Sequence, residues 1–156
     1  MKLLHRVYWF CIIAMSLPVL TSCSAERQQK LGELASNRSQ WDAYSIKNYR
    51  YTLEVSSAWF RTLPTPVRIE VQNGIVASIT RDDRQAIRSA DFSKYDTIEK
   101  VFSVAESRLN ENAPENDSVD YDPTFNYPVA IKYDDNNGVD EESRLDITNF
   151  EVLDRP

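Results

Sequence analysis

The side chains able to do chemistry are few, and their spacing limits what each can do. There is one histidine, His5, and there are two cysteines, Cys11 and Cys23. Asp120 and Asp122 in "VDYDP" share one side of an extended strand, with Tyr121 on the other. Paired carboxylates can act as general acid and base, but these have no visible partner at a working distance. A turn plus an outward charge accounts for them. "DDNNGVDEE", Asp134 to Glu142, offers oxygen ligands for calcium. It places Gly138 at the fifth loop position, where the calcium pattern needs Asp or Asn, so a solvated loop is expected. Ser45-Ile46-Lys47 and Ser93-Lys94 lack the Ser-x-x-Lys spacing that sets hydroxyl and amine on one helical face. Trp59 and Phe60, between Ser and Pro neighbours in "SSAWFRTLPTP", form the candidate binding patch for a sugar or a protein. The competing expectation is that both rings fold back on the core edge. No catalytic residue, metal ligand or cofactor is assigned.

Cys23 stands apart because of what precedes it. "MKLLHR" is a short positive head, and "VYWFCIIAMSLPVL" is an apolar run broken only by Ser16 and Pro18. A comfortable membrane span needs about 20 apolar residues, so this run has instead the plan of an export signal. Its end, Leu20-Thr21-Ser22-Cys23, resembles the lipobox of bacterial lipoproteins. The resemblance implies that the Cys23 thiol is alkylated by diacylglycerol, and that the leader is cut off before Cys23 and the new amine acylated. A thiol suits that step because its thiolate is a strong nucleophile at neutral pH. Each buried methylene adds about 0.8 kcal/mol, so several acyl chains make a lasting anchor. Ser24 at the next position is, by the same resemblance, permissive for sorting to the outer membrane of a host with two membranes.

Cleavage there changes the composition. It removes Lys2, Arg6, His5 and Cys11, leaving 134 of the 156 residues. The 18 basic residues fall to 16 against 24 acidic ones, which takes the formal charge from −6 to −8. Such a surface repels nucleic-acid phosphates and anionic lipid. With no imidazole and no free thiol left, Ser-His-Asp and Cys-His catalysis and His/Cys zinc sites are excluded from the mature chain. An internal disulfide is excluded as well.

The elements that must position any site follow from periodicity. A polar tether from Ser24 passes into a helix ending before Asn48, with Leu31, Leu34, Trp41 and Tyr44 along one stripe. Tyr49, Tyr51, Leu53 and Val55 alternate with polar residues and predict a strand with one buried face. "VRIEVQNGIVASIT" predicts a hairpin about Asn73-Gly74. A three-residue bulged turn, Gln72-Asn73-Gly74, would pair Val71 with Ile75, Ile69 with Ala77 and Val67 with Ile79, all on one face. Ile98, Val101, Phe102, Ala105 and Leu109 make the stripe of a second helix, capped by Asp96 or Thr97 and closed by Pro114. A second hairpin follows, with Pro123 pre-setting its turn and Asn126 left-handed, and then a last strand. The order α-β-β-β-α-β-β-β predicts an α+β fold: an antiparallel sheet with two helices packed on one face. The expected organisation is a lipoprotein signal peptide over 1–22, a lipidated cysteine and polar tether over 23–40, and one α+β domain over 41–156.

"NYRYTLEV", "VRIEVQNGIVASI", "DFSKYDTIEKVF", "VDYDPTFNYPVAIKYD" and "LDITNFEVL" together resemble a bacterial domain of unknown function, numbered 6174. The likeness runs from about Trp41 to Leu153. It implies export, with many members lipoproteins, and it carries no established activity. Asn126 stands where Gly is usual in the family, and Ser56, Ser57 and Ala58 stand where many members carry a cysteine pair. The expected function is therefore a non-enzymatic envelope lipoprotein that binds a protein or envelope component. It would be held to the membrane by lipid at Cys23, facing the periplasm from the outer membrane if the host has two. The alternative is a carboxylate-based glycan hydrolase, or a scaffold with no small ligand.

Overall fold

The computed structural model describes residues 22–56, 65–81, 87, 92–110, 117–134 and 142–153. Along the chain the elements are α1 (Ser22–Tyr44), β1 (Tyr49–Ser56), β2 (Val67–Gln72), β3 (Ile75–Thr80), α2 (Ile98–Asn110), β4 (Ser118–Tyr121), β5 (Pro128–Asp134) and β6 (Glu142–Val152). The fold is α+β, with two helices and one six-stranded antiparallel sheet. Its spatial order, β3-β2-β1-β6-β5-β4, is not the chain order. Each meander keeps its neighbours, and the two join through β1 and β6. The last strand in sequence therefore lies at the centre. As the longest strand, with Leu145 and Ile147 buried, it gains most from neighbours on both sides.

The alternation in β1 is realised as a buried row of Tyr49, Tyr51, Leu53 and Val55. Val67, Ile69 and Val71 of β2 flank it on one side, and Leu145 and Ile147 of β6 on the other. Leu34 and Trp41 of α1 and the whole predicted stripe of α2 enter the same core. The helices also pack on each other, with α2 lying against β5. Arg38 ties the pair together: its guanidinium donates to Glu106 Oε2 at 3.0 Å and lies over the Phe102 ring. The alternate residues of β1 and β2, Arg50, Thr52, Glu54, Arg68, Glu70 and Gln72, are polar and less buried, on the side of the sheet away from that core.

Helix α1 begins earlier than the expected tether-to-helix passage. It spans 23 residues, so the stretch expected as polar tether is helical. From Lys30 onward it is docked: Leu34 is buried, and Lys30 Nζ donates to the Asp117 carbonyl at 3.0 Å. Polar side chains do not prevent a helix here, because Gln, Glu, Lys, Arg and Ala are good helix formers. The helix ends where Ser45 turns left-handed, with φ of 53°, and its N–H donates back to the Asp42 carbonyl.

The β2–β3 register corrects the expectation. Val71 pairs with Val76 and Gln72 with Ile75, so the turn is the two-residue Asn73-Gly74, with φ of 52° and 76°. Both angles positive make a primed turn, whose twist matches that of the strands. The pattern is restored one step later. A bulge between Glu70 and Val71 leaves Ala77 as an extra residue, and Ile69 then faces Ile79. Ile79 is buried, whereas Ile75, expected inside, is 72 % exposed.

A second bulge sits in β6. Arg50 pairs with Glu151 and Thr52 with Thr148, so Tyr51 faces both Asn149 and Phe150. Asn149 takes the left-handed conformation, φ 51°. The extra residue turns Phe150 to the core side, where its ring lies 4.5 Å from Tyr127, 5.6 Å from Tyr49 and 5.8 Å from Trp41 between centroids.

Candidate functional site

The connection between α1 and β1, Ser45 to Asn48, holds two other parts of the chain. Gly74 N–H donates to the Lys47 carbonyl at 2.8 Å, fixing the β2–β3 turn. Asn73 N–H donates to Asn48 Oδ1 at 2.8 Å, which explains why Asn48 is buried. Leu153 N–H donates to the Asn48 carbonyl at 2.9 Å, fixing the end of β6. Tyr44, the last residue of α1, donates its hydroxyl to the Thr124 carbonyl at 2.7 Å and packs edge-on against Phe125. The β4–β5 turn is thus drawn to the same end. That turn is shaped by Asp122, whose Oδ1 accepts from Thr124 N and Phe125 N, with Asn126 left-handed at φ 63°.

One consequence is compositional. The exposed large apolar residues among the described ones are Tyr44, Ile75 and Val152, at 49 %, 72 % and 46 %. All three lie at this end, within a few residues of the Ser45–Asn48 connection or of a residue bonded to it. The first turn of α1, which contains Cys23, is at the other end of a 23-residue helix. At 1.5 Å of rise per residue that separation is about 33 Å.

A groove of about 880 Å³ runs from this end between β3 and the start of α2. Ile75, Val76 and Ile79 form its apolar side, Asp96, Glu99 and Lys100 its polar side, and Lys47 stands at one mouth. Its two carboxylates are both engaged. Asp96, 5 % exposed, accepts from Lys100 Nζ at 2.6 Å. Glu99 Oε2 accepts from the Tyr49 hydroxyl at 3.1 Å. That hydroxyl also accepts from Ile98 N–H at 3.1 Å, while Thr97 Oγ1 accepts from Lys100 N–H at 3.3 Å. Together they satisfy donors that the first turn of a helix leaves without partners. Burial, and next the negative charge of Glu99, push the Tyr49 hydroxyl far above its ordinary range. It is a permanent donor, not a proton shuttle. Burial does the same to Tyr51, whose hydroxyl donates to the Tyr95 carbonyl at 2.6 Å. Lys47 has no ion-pair or hydrogen-bond partner for its side chain among the described residues.

The residues singled out from sequence do not come together. Cys23 is in the first turn of α1. Trp59 and Phe60 lie outside the described residues, as do residues 135–141 of the acidic loop. Asp120 is exposed on β4, whereas Asp122 is used by its turn, so the two have separate roles. Ser45 Oγ reaches back only to the Asp42 carbonyl, at the end of the helix. Among the described residues no three His, Cys, Asp or Glu side chains gather as metal ligands, and no helix is long and apolar enough to cross a membrane. Tyr44 falls on the helical stripe of α1, the alternation of β3 predicts Ile75 inside, and nothing in the sequence singles out Val152. Ile75 and Val152 are brought to the end of α1 by hydrogen bonds of Gly74 and Leu153 to Lys47 and Asn48, and no local pattern encodes that.

The family of unknown function DUF6174 matches the chain over residues 33–152. The matched span begins beside Leu34, the first buried residue of α1, and ends on the last residue of β6. Neither the curated proteins nor the solved structures contain a match.

Proposed function

The chain belongs to DUF6174, a family without an assigned activity, and from that premise we propose that it is a lipid-anchored envelope protein whose domain docks a partner protein at the end remote from the anchor. The observation that carries this reading is the gathering of Tyr44, Ile75 and Val152 at the end of the molecule opposite Cys23. An acylated Cys23 would put the start of α1 at the bilayer of the cell envelope, with the domain facing the periplasm in a host with two membranes. The docked part of α1 would then aim the apolar end into the aqueous space. Scattered apolar residues need no explanation, but three at one end of the molecule, with Ile75 also lining a groove, mark an interaction surface. The engaged state of Asp96 and Glu99 supports binding over the alternative of glycan hydrolysis, which needs an acid and a base free to exchange protons.

The test is photo-crosslinking in the intact envelope, with the reactive residue at Ile75 or Tyr44 and, as a control, at exposed Glu106 on α2. The reading predicts a discrete adduct from the first two positions and not from the third. Equal patterns from all three would overturn it. Fatty-acid labelling tests the anchor separately: wild type should label and Cys23→Ser should not.

A further inference from the structure

The polar side of β1 and β2 has a built feature of its own at the β6 bulge. Arg50 Nε and Nη2 donate to the same Glu151 oxygen, at 2.9 and 2.6 Å. Beside this pair stands the left-handed Asn149, whose Nδ2 donates two long bonds, to Thr52 Oγ1 and to Thr148 Oγ1, each at 3.4 Å. Arg68 on β2, directly opposite Thr52, closes the other side. Arg50, Tyr51, Arg68, Asn149 and Glu151 line a concavity of about 180 Å³, enough for a small ion with its nearest waters.

The charges inside it do not cancel. Glu151 is taken by Arg50. Glu70, two residues along from Arg68, accepts from Gln72 Nε2 at 2.8 Å and does not line the concavity. Arg68 has no ion-pair or hydrogen-bond partner among the described residues. A guanidinium presents its donors in a flat fork that matches two oxygens of one carboxylate or phosphate group, and it sheds water more readily than an ammonium. A bulge that turns one side chain inward and holds its neighbour at positive φ is also a common way to shape a site.

We infer that this concavity binds an oxyanion, a carboxylate or a phosphate group, gripped by the Arg68 fork, with the Asn149 amide exchanging one of its long threonine bonds to act as second donor. The inference does not depend on the docking surface, and either can fail without the other.

The test is a titration of the full chain in detergent with sodium phosphate and, separately, sodium acetate, with chloride holding ionic strength constant. The readout is the NMR signal of the arginine Nε–H groups. The expected result is a saturable shift at Arg68 with at least one of the two anions and none with chloride. Arg68→Gln should weaken binding by about tenfold or more, the loss of a charge-assisted pair of bonds. Arg68→Lys should weaken it less, since charge is kept and the fork is lost. Asn149→Gly, which accepts the left-handed backbone, should weaken it a few-fold. Saturation by phosphate alone names a phosphate ligand, by acetate alone a carboxylate. Two results would overturn the site: no saturation by either anion up to about 100 mM, or unchanged binding in folded Arg68→Gln.

Discussion

Removing one oxygen from the core tests how α2 is held. Tyr49→Phe leaves the ring in place, so no cavity forms and packing with Trp41 at 5.7 Å and Phe150 at 5.6 Å is kept. What is lost is the hydroxyl that accepts from Ile98 N–H and donates to Glu99 Oε2, both at 3.1 Å. Tyr49 is 0 % exposed, so water cannot readily replace it at Ile98 N–H. A buried donor left unsatisfied costs about 1–3 kcal/mol, and about 2 kcal/mol is the expected loss here. Glu99 adds little, because its carboxylate can turn toward solvent. For a domain of this size the fall in Tm is about 6–10 °C. The assay is urea denaturation followed by far-UV circular dichroism, with the midpoint moving and the slope unchanged. Tyr51→Phe is the calibration: it removes only a donor to the Tyr95 carbonyl and should cost about 1 kcal/mol. A Tyr49→Phe variant within about 0.3 kcal/mol of wild type would refute the claim that this hydroxyl caps α2.

Three further outcomes are expected. Burial raises the hydroxyls of Tyr49, Tyr51, Tyr121 and Tyr127 above their ordinary value, so the folded state keeps these protons where the unfolded state releases them. Their contribution to stability is therefore intact below pH about 10 and falls as the pH climbs past it; tyrosinate absorbance should show these four ionising above the ordinary tyrosine range, together with unfolding. Gly32 lies inside α1 with nothing within 4 Å of where a Cβ would stand, so Gly32→Ala should raise stability by about 0.5–1 kcal/mol, read as an upward shift in Tm. Asn149→Val places a β-branched residue at φ 51° and should cost about 1–3 kcal/mol, while Asn149→Gly should be close to neutral by the same denaturation assay.

Much of the local architecture is written in short stretches. The alternation of Tyr49 to Val55 names its buried row because side chains on a strand repeat every two residues, and Ile98 to Leu109 names its stripe because a helix repeats every 3.6. Asn73-Gly74 marks a turn because both residues accept positive φ. The lipidation expectation at Cys23 is also local, since it rests on a leader and a short motif. The register of β3 is different. It depends on whether the chain corrects its alternation inside the turn or with a bulge at Ala77, and both solutions bury Ile79. Only pairing with β2 separates them, and it leaves Ile75 outside.

Long-range pairing decided the rest. Nothing in the sequence of β6 states that it lies beside β1, because strand order is a choice among partners distant along the chain. Placing Arg50 beside Glu151, with Arg68 two strands from Asn149, required that choice. The same holds for the apolar end, where backbone bonds to Lys47 and Asn48 bring the neighbours of Ile75 and Val152 to the C-terminal end of α1 that carries Tyr44. Sequence by itself settled which residues β1 and α2 bury, because that follows from the period of one strand or one helix. The tertiary structure alone settled which exposed residues become neighbours, because backbone hydrogen bonds join any two strands regardless of side chain and only the packed whole selects the pairing.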